Sequence, residues 1–201
     1  MSIHSAVAIA ALGGIVVGAS TLPAQDTTAS SRTKTARWEL IVPSGALLPT
    51  GAQRGTIKRA NLTAVQLAYV PRPSLAIMST FSWARSRDLA TSGNPKLDVF
   101  TYDVGAELRA PRWLEGNGMR FSPFAGVGAG GRSYDHRKLD VDATHNLAAY
   151  GSVGGELAFR RVGLRLEARD YVAGFKSLVQ NGASRTGNDV VVMLGLRLVS
   201  P

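Results

Sequence analysis

The sequence predicts an all-β chain: eight antiparallel strands in up-and-down order, closed into a transmembrane β-barrel with short periplasmic turns and longer outer loops. Three observations predict it. Segment after segment alternates apolar and polar residues with period two, the mark of a strand whose two faces meet different surroundings. Eight such segments fit between residues 37 and 199, each near the 9–11 or so residues that a tilted membrane strand requires. The links between them alternate short and long, as they do when hairpins are tight on one side of a membrane and extended on the other.

Composition narrows the function classes. A chain of 201 residues suits one domain. Beyond the N-terminus no apolar run approaches the roughly 20 residues of a spanning helix. With no cysteine there are no disulfides, thiol nucleophiles or cysteine-ligated metals. The 23 Lys and Arg against 14 Asp and Glu give a net charge of +9, which favours anionic partners. The basic residues are scattered, with no basic helix or aromatic RNA-binding signature, so nucleic acid is disfavoured and lipopolysaccharide is favoured.

Taken in order, residues 1–24 read as a secretory signal peptide, with an apolar stretch over 6–17, small residues Gly18, Ala19 and Ser20, and a cut after Ala24. No Lys or Arg precedes the apolar stretch, so the amino terminus and His4 supply its positive charge. Residues 25–36, rich in Thr, Ser and Ala, read as a flexible lead-in, and 37–201 as the barrel. The expected strands are 37–47, 60–70, 75–86, 97–109, 120–133, 146–160, 162–172 and 189–199. The fourth states the rule most clearly: Phe100, Tyr102, Val104, Ala106 and Leu108 alternate with Thr101, Asp103, Gly105, Glu107 and Arg109. Pro71-Arg72-Pro73-Ser74 and Arg160-Arg161 supply tight turns, while the polar links 48–59, 87–96, 134–145 and 173–188 are long. The link 110–119 is long for a periplasmic turn, but Gly116-Asn117-Gly118 can form its turn core.

The aromatics indicate which face meets lipid. Trp38, Tyr69, Trp113, Phe121 and Phe159 fall at the periplasmic rim, and Phe81, Trp83, Phe100 and Tyr102 at the outer rim, which reads as two interfacial girdles. The opposite face carries Glu39, Asp103, Glu107, Arg109, Glu156, Arg160, Arg165, Glu167, Arg169 and Arg197 among small residues such as Gly105, Gly126, Gly128, Ser152, Gly154 and Gly195. Inside a barrel these charges must pair, because an unpaired charge away from bulk water costs several kcal/mol. Eight strands enclose a space that side chains can fill, so a plugged lumen is expected. Alternation alone also fits a soluble secreted, lipocalin-like barrel with an apolar ligand inside.

The signal peptide, the eight amphipathic strands, the alternating loops and the glycine-rich run Pro123-Phe124-Ala125-Gly126-Val127-Gly128-Ala129-Gly130 resemble the small outer-membrane β-barrel family typified by the OmpA transmembrane domain. The resemblance covers about 37–199 and identifies a fold better than an activity. It implies residence in the bacterial outer membrane among lipid and lipopolysaccharide, as a monomer inserted by the barrel-assembly machinery. The closing strand resembles the family's assembly signal in its alternation but ends Leu198-Val199-Ser200-Pro201, without a terminal aromatic.

Some barrels of this size are lipid A hydrolases, which need a serine beside a histidine oriented by a carboxylate. Neither His136, followed by Arg137-Lys138, nor His145, followed by Asn146-Leu147, sits in the His-x-Ser arrangement of the outer-membrane deacylases, and no enzyme is expected. No cofactor is expected either. The loop with Asp135, His136, Asp140, Asp142 and His145 reads as a solvated polar loop, with divalent-cation binding as the alternative. Lys58, Arg59, Arg87, Lys96, Arg137, Lys138, Lys176 and Arg185 lie in or beside the outer loops, as ordinary surface charge or as partners for lipopolysaccharide phosphates. These residues favour a non-enzymatic outer-membrane barrel with a structural or surface-interaction role; a narrow gated channel for small solutes is the second reading.

Overall fold

A computed structural model describes residues 36–110, 113–137, 139, 141–175 and 185–200. Its strands are β1 (Arg37–Pro49), β2 (Ala60–Arg72), β3 (Leu75–Arg87), β4 (Lys96–Arg109), β5 (Leu114–Gly116), β6 (Met119–His136), β7 (Thr144–Phe159), β8 (Val162–Phe175) and β9 (Arg185–Val199). They are hydrogen-bonded in the order β4-β3-β2-β1-β9-β8-β7-β6-β5, and a further pairing of β4 with β6 closes the ring. Every pairing is antiparallel. The eight long strands therefore form a closed up-and-down barrel without a free edge. The expected signal segment and lead-in lie outside the described residues, Ala36 excepted.

The strands run longer than the alternation suggests, 13–18 residues for the long eight. β6 and β7 pair from Met119↔Phe159 to Tyr134↔Thr144, so the ladder continues into what reads as loop. Unbroken pairing satisfies each backbone N–H and C=O, which polar side chains in a loop segment do not prevent. β5 was not expected. It pairs with β6 alone, Leu114↔Phe121 to Gly116↔Met119, as a hairpin that overshoots the ring. Its turn is Asn117-Gly118, both at positive φ, +50° and +75°, the type I′ geometry that matches strand twist.

Parity assigns the faces. In β4, Val99, Thr101, Asp103, Glu107 and Arg109 are buried inside, whereas Tyr102, Val104, Ala106 and Leu108 are exposed outside. Leu108 is 68%, Val127 67%, Val153 61% and Leu196 57% exposed on that outer wall. The interior has three regions. At the end with the tight turns Ile41, Ala68, Val70, Ala76 and Met78 cluster on β1–β3. Toward the long loops a larger apolar cluster includes Leu47, Leu62, Leu97, Tyr134, Tyr150 and Met193. The third is a run of buried charged side chains. A 3-10 turn at Gly51–Gly55 brings Gln53 and Ile57 into the larger cluster's end, both buried, where Ile57 bridges to Asp88. No helix among the described residues is long and apolar enough to cross a membrane, which says nothing of strands.

A candidate site in the barrel interior

Period two puts the acids and bases of β1, β4, β7, β8 and β9 on the inner face, and strand order brings them together as one chain of ion pairs. Arg197 Nη2 meets Glu156 Oε1 at 2.8 Å, and its Nη1 meets Glu39 Oε1 at 2.7 Å. Glu39 also receives Arg109 Nη1 at 2.8 Å, and Arg109 Nε reaches Glu107 Oε1 at 2.7 Å. Arg165 then bridges Glu107 and Glu167, donating from Nη1 to Glu107 Oε1 at 3.1 Å and from Nη2 to Glu167 Oε2 at 3.2 Å. Arg169 continues from Glu167 Oε1, 2.6 Å from its Nε, to Asp103 Oδ1, 3.0 Å from its Nη1. The Tyr171 hydroxyl donates to Asp103 Oδ2 at 2.7 Å, and Gln66 donates to Glu167 Oε2 at 3.1 Å.

Five acids and four arginines thus alternate along the chain, and Arg37 adds a half-exposed partner to Glu39 at 2.9 Å. The paired geometry is what makes burial tolerable, since orphaning one member of such a pair costs about 3–5 kcal/mol. The arginines also lie on aromatic faces: Arg165 is 3.7 Å from the Phe124 ring centroid and Arg169 is 4.5 Å from that of Tyr150. Glycines make room for those rings. A Cβ on Gly128 would run into the Tyr150 ring, and one on Gly154 into Phe124 and the Leu166 carbonyl. The Gly-rich sequence of β6 is therefore a matter of space inside the wall.

Of the charges expected inside, Glu39, Asp103, Glu107, Arg109, Glu156, Arg165, Glu167, Arg169 and Arg197 lie in this chain. Arg160 does not: it is exposed in the β7–β8 turn at φ +52°, one residue past the strand, where alternation no longer sets direction. A second interior group lies beyond the charges the sequence predicts inside. Arg132 pairs with Asp189, donates to Thr101 Oγ1 at 3.2 Å and lies 4.7 Å from the Tyr171 ring centroid. With its amide nitrogen toward Asp189, Gln53 donates to Oδ2 at 2.8 Å. His136 Nε2 meets Asp88 Oδ2 at 3.1 Å. Arg132, Asp189 and His136 share the inward parity of their strands, and that signal marks them; Gln53 and Asp88 come from links, where no period applies.

Of the nine aromatics read as rim residues, five lie toward the end with the tight turns. Trp38 pairs in register with Tyr69, rings 5.0 Å apart, and Trp113, Phe121 and Phe159 lie at the same end. Phe81, Trp83, Phe100 and Tyr102 face outward at the other end, but all four sit on β3 and β4. They form a stacked patch, with Phe100 6.3 Å from Phe81 and 6.4 Å from Trp83, and do not encircle the barrel. In the loop read as polar, His136 turns inward while His145 lies on the outer wall, and the described residues hold no group of three metal-capable side chains.

The pairing of β6 with β7 does create one contact the sequence hid. Ser133 Oγ and His145 Nδ1, twelve residues apart, share a hydrogen bond of 2.6 Å. Ser133 is buried, and among the described residues no carboxylate bonds to His145.

No protein-family model and no curated protein matches the sequence. Among solved structures the chain is similar to Neisserial surface protein A, with 12% identity and a TM-score of 0.56 over 82% of this chain and 99% of that one. It is also similar to the outer membrane protein AlkL, determined in lipid bilayers, with 15% identity and a TM-score of 0.50 over 91% of this chain and 97% of that one. The chain has the fold of the small eight-stranded outer-membrane β-barrels. As an outer-membrane-type barrel it carries apolar residues outside and charges within, the reverse of a soluble protein. At this identity the likeness fixes architecture and leaves activity open.

Proposed function

We propose that the protein is a monomeric, non-enzymatic barrel of the bacterial outer membrane, with a structural or surface-interaction role and outer loops that meet lipopolysaccharide. A signal peptide over 1–24 exports it, and the barrel-assembly machinery inserts it. The observation that carries the reading is the inversion of faces: Val104, Leu108, Val127, Val153, Leu166 and Leu196 are exposed while Glu39, Glu107, Arg165 and Arg169 are buried. Soluble monomers rarely expose contiguous apolar patches beyond a few hundred Å². In lipid this wall loses no favourable contact with water, and a closed ladder leaves no strand edge unpaired. A soluble carrier of an apolar ligand needs an apolar interior cavity, and charges chained at hydrogen-bond distance occupy that place here.

The same packing opposes a conducting role. The ion-pair chain and the apolar cluster around Tyr134 and Leu97 are buried in the interior, and Gln53 and Ile57 are buried at the loop end. The test is location and form. Cell fractionation is expected to place the protein in the outer membrane, and the folded, unheated chain to migrate faster than the boiled one on detergent gels. A periplasmic monomer soluble without detergent would refute it.

A further inference from the structure

Four cations, Lys58, Arg59, Arg85 and Arg87, converge on one depression of about 460 Å³ in the outer wall near the long loops. They are held in place. Ile57, buried inside the barrel, anchors the segment before them. Lys58 N donates to the Arg87 carbonyl at 3.0 Å, and Ser86 Oγ donates to the Lys58 carbonyl at 2.5 Å. The Arg85 guanidinium stands 4.2 Å over the Trp83 ring, and Arg87 Nη1 donates to the Asn94 carbonyl at 3.2 Å. Among the described residues no carboxylate pairs with any of the four. The nearest acids are taken: Asp98, opposite Arg85 in the β3–β4 register, holds Arg137 at 2.5 and 2.6 Å with its two oxygens, and Asp88 faces inward to His136. Elsewhere this chain pairs its buried charges thoroughly, so four like charges around one hollow stand apart.

We propose that this depression seats the phosphate of an outer-leaflet lipid, a phosphorylated glycolipid whose acyl chains lie along the barrel wall. Arginine's planar fork matches phosphate oxygens two at a time, and a lysine adds a point charge. The hydrocarbon follows from what lies beneath. Ala46 and Leu48 line the hollow on the side of β1, and below them Val42, Leu40 and Val65 continue the apolar wall. An anion tethered to acyl chains satisfies both halves of that surface, whereas a free anion meets only the upper half. Of the other outer-loop cations, Lys96 pairs in register with Arg87 and flanks the site, Arg137 is committed to Asp98, and Lys138, Lys176 and the Arg185 side chain lie outside the described residues.

The inference rests on the membrane reading, and one experiment separates the two. The full chain folded in uncharged detergent micelles is first checked for heat-modifiable migration, and its unfolding temperature is then followed while lipid A is titrated in. Diphosphorylated lipid A is expected to bind about tenfold or more tightly than its dephosphorylated form, and inorganic phosphate to have no effect at the same concentration. The variant Lys58→Gln/Arg59→Gln/Arg85→Gln/Arg87→Gln is expected to lose that tenfold preference, and Arg160→Gln/Arg161→Gln, at the opposite end, to keep it. Equal binding of the two lipid forms, a preference unchanged in the fourfold variant, or complete competition by inorganic phosphate overturns the proposal. Should the fourfold variant not fold, the two lipid forms compared on the unaltered chain still decide. A chain that never becomes heat-modifiable refutes the membrane reading instead.

Discussion

Replacing Arg165 with Met tests whether the interior ion pairs hold the barrel together. The Arg165 side chain is 1% exposed and bridges Glu107 and Glu167, themselves 3% and 2% exposed. Truncation does not orphan either acid completely: Glu107 keeps Arg109 at 2.7 Å, and Glu167 keeps Arg169 at 2.6 Å and Gln66 at 3.1 Å. The cost therefore belongs at the lower end of the range for a broken buried pair, about 3 kcal/mol, with up to about 1 kcal/mol more from the lost contact with Phe124. Met fills much of the arginine stem's volume, so cavity formation adds little. The assay is urea unfolding of the vesicle-embedded protein, followed by the fluorescence of Trp38, Trp83 and Trp113. Glu107→Gln in the same chain should recover part of the loss, with a coupling of about 1–3 kcal/mol in a double-mutant cycle. A loss below about 1 kcal/mol with no coupling would refute the reasoning, because it would mean that water already screens these groups.

Three further outcomes follow from the same packing. Gly128→Val drives a side chain into the Tyr150 ring and should destabilise the barrel by about 1–3 kcal/mol or block folding, measured by the same unfolding curves, while Gly116→Ala, with open space around it, should change little. Arg160→Gly relieves a non-glycine residue at φ +52° in a two-residue turn and breaks no interior pair, so stability should hold or rise slightly; a loss above about 2 kcal/mol would return Arg160 to the network. In planar bilayers the protein should show no stable conductance. Reproducible openings abolished by Glu107→Gln or Arg165→Gln would contradict a fixed plug.

Period two made the two faces of the wall legible, because in a closed barrel every strand residue points either in or out. That is why nine of the ten charges expected inside are there, and why Arg160 is not: it lies one step beyond β7, where the turn takes over. The same parity places Gln66, Tyr171 and Arg132 inside. What alternation cannot carry is the path of the links. The burial of Gln53 and Ile57 depends on how the 3-10 turn folds back, and the Ser133–His145 contact depends on register between strands whose pairing reaches past their expected ends. Nor does a rim position say how far around the barrel a belt extends: Phe81, Trp83, Phe100 and Tyr102 share two neighbouring strands, so their girdle is a patch.

An exposed apolar wall around buried charges requires lipid on its outside. Because the chain has no cysteine, a single Leu166→Cys can carry a fluorescent label on that wall, with Leu139→Cys in a loop as the reference. The label at 166 in the vesicle-embedded protein is predicted to be quenched by spin-labelled acyl chains and shielded from aqueous iodide, and the label at 139 to behave the opposite way. A label at 166 open to iodide and untouched by the acyl-chain quencher, on protein that stays in solution without detergent, would contradict the account.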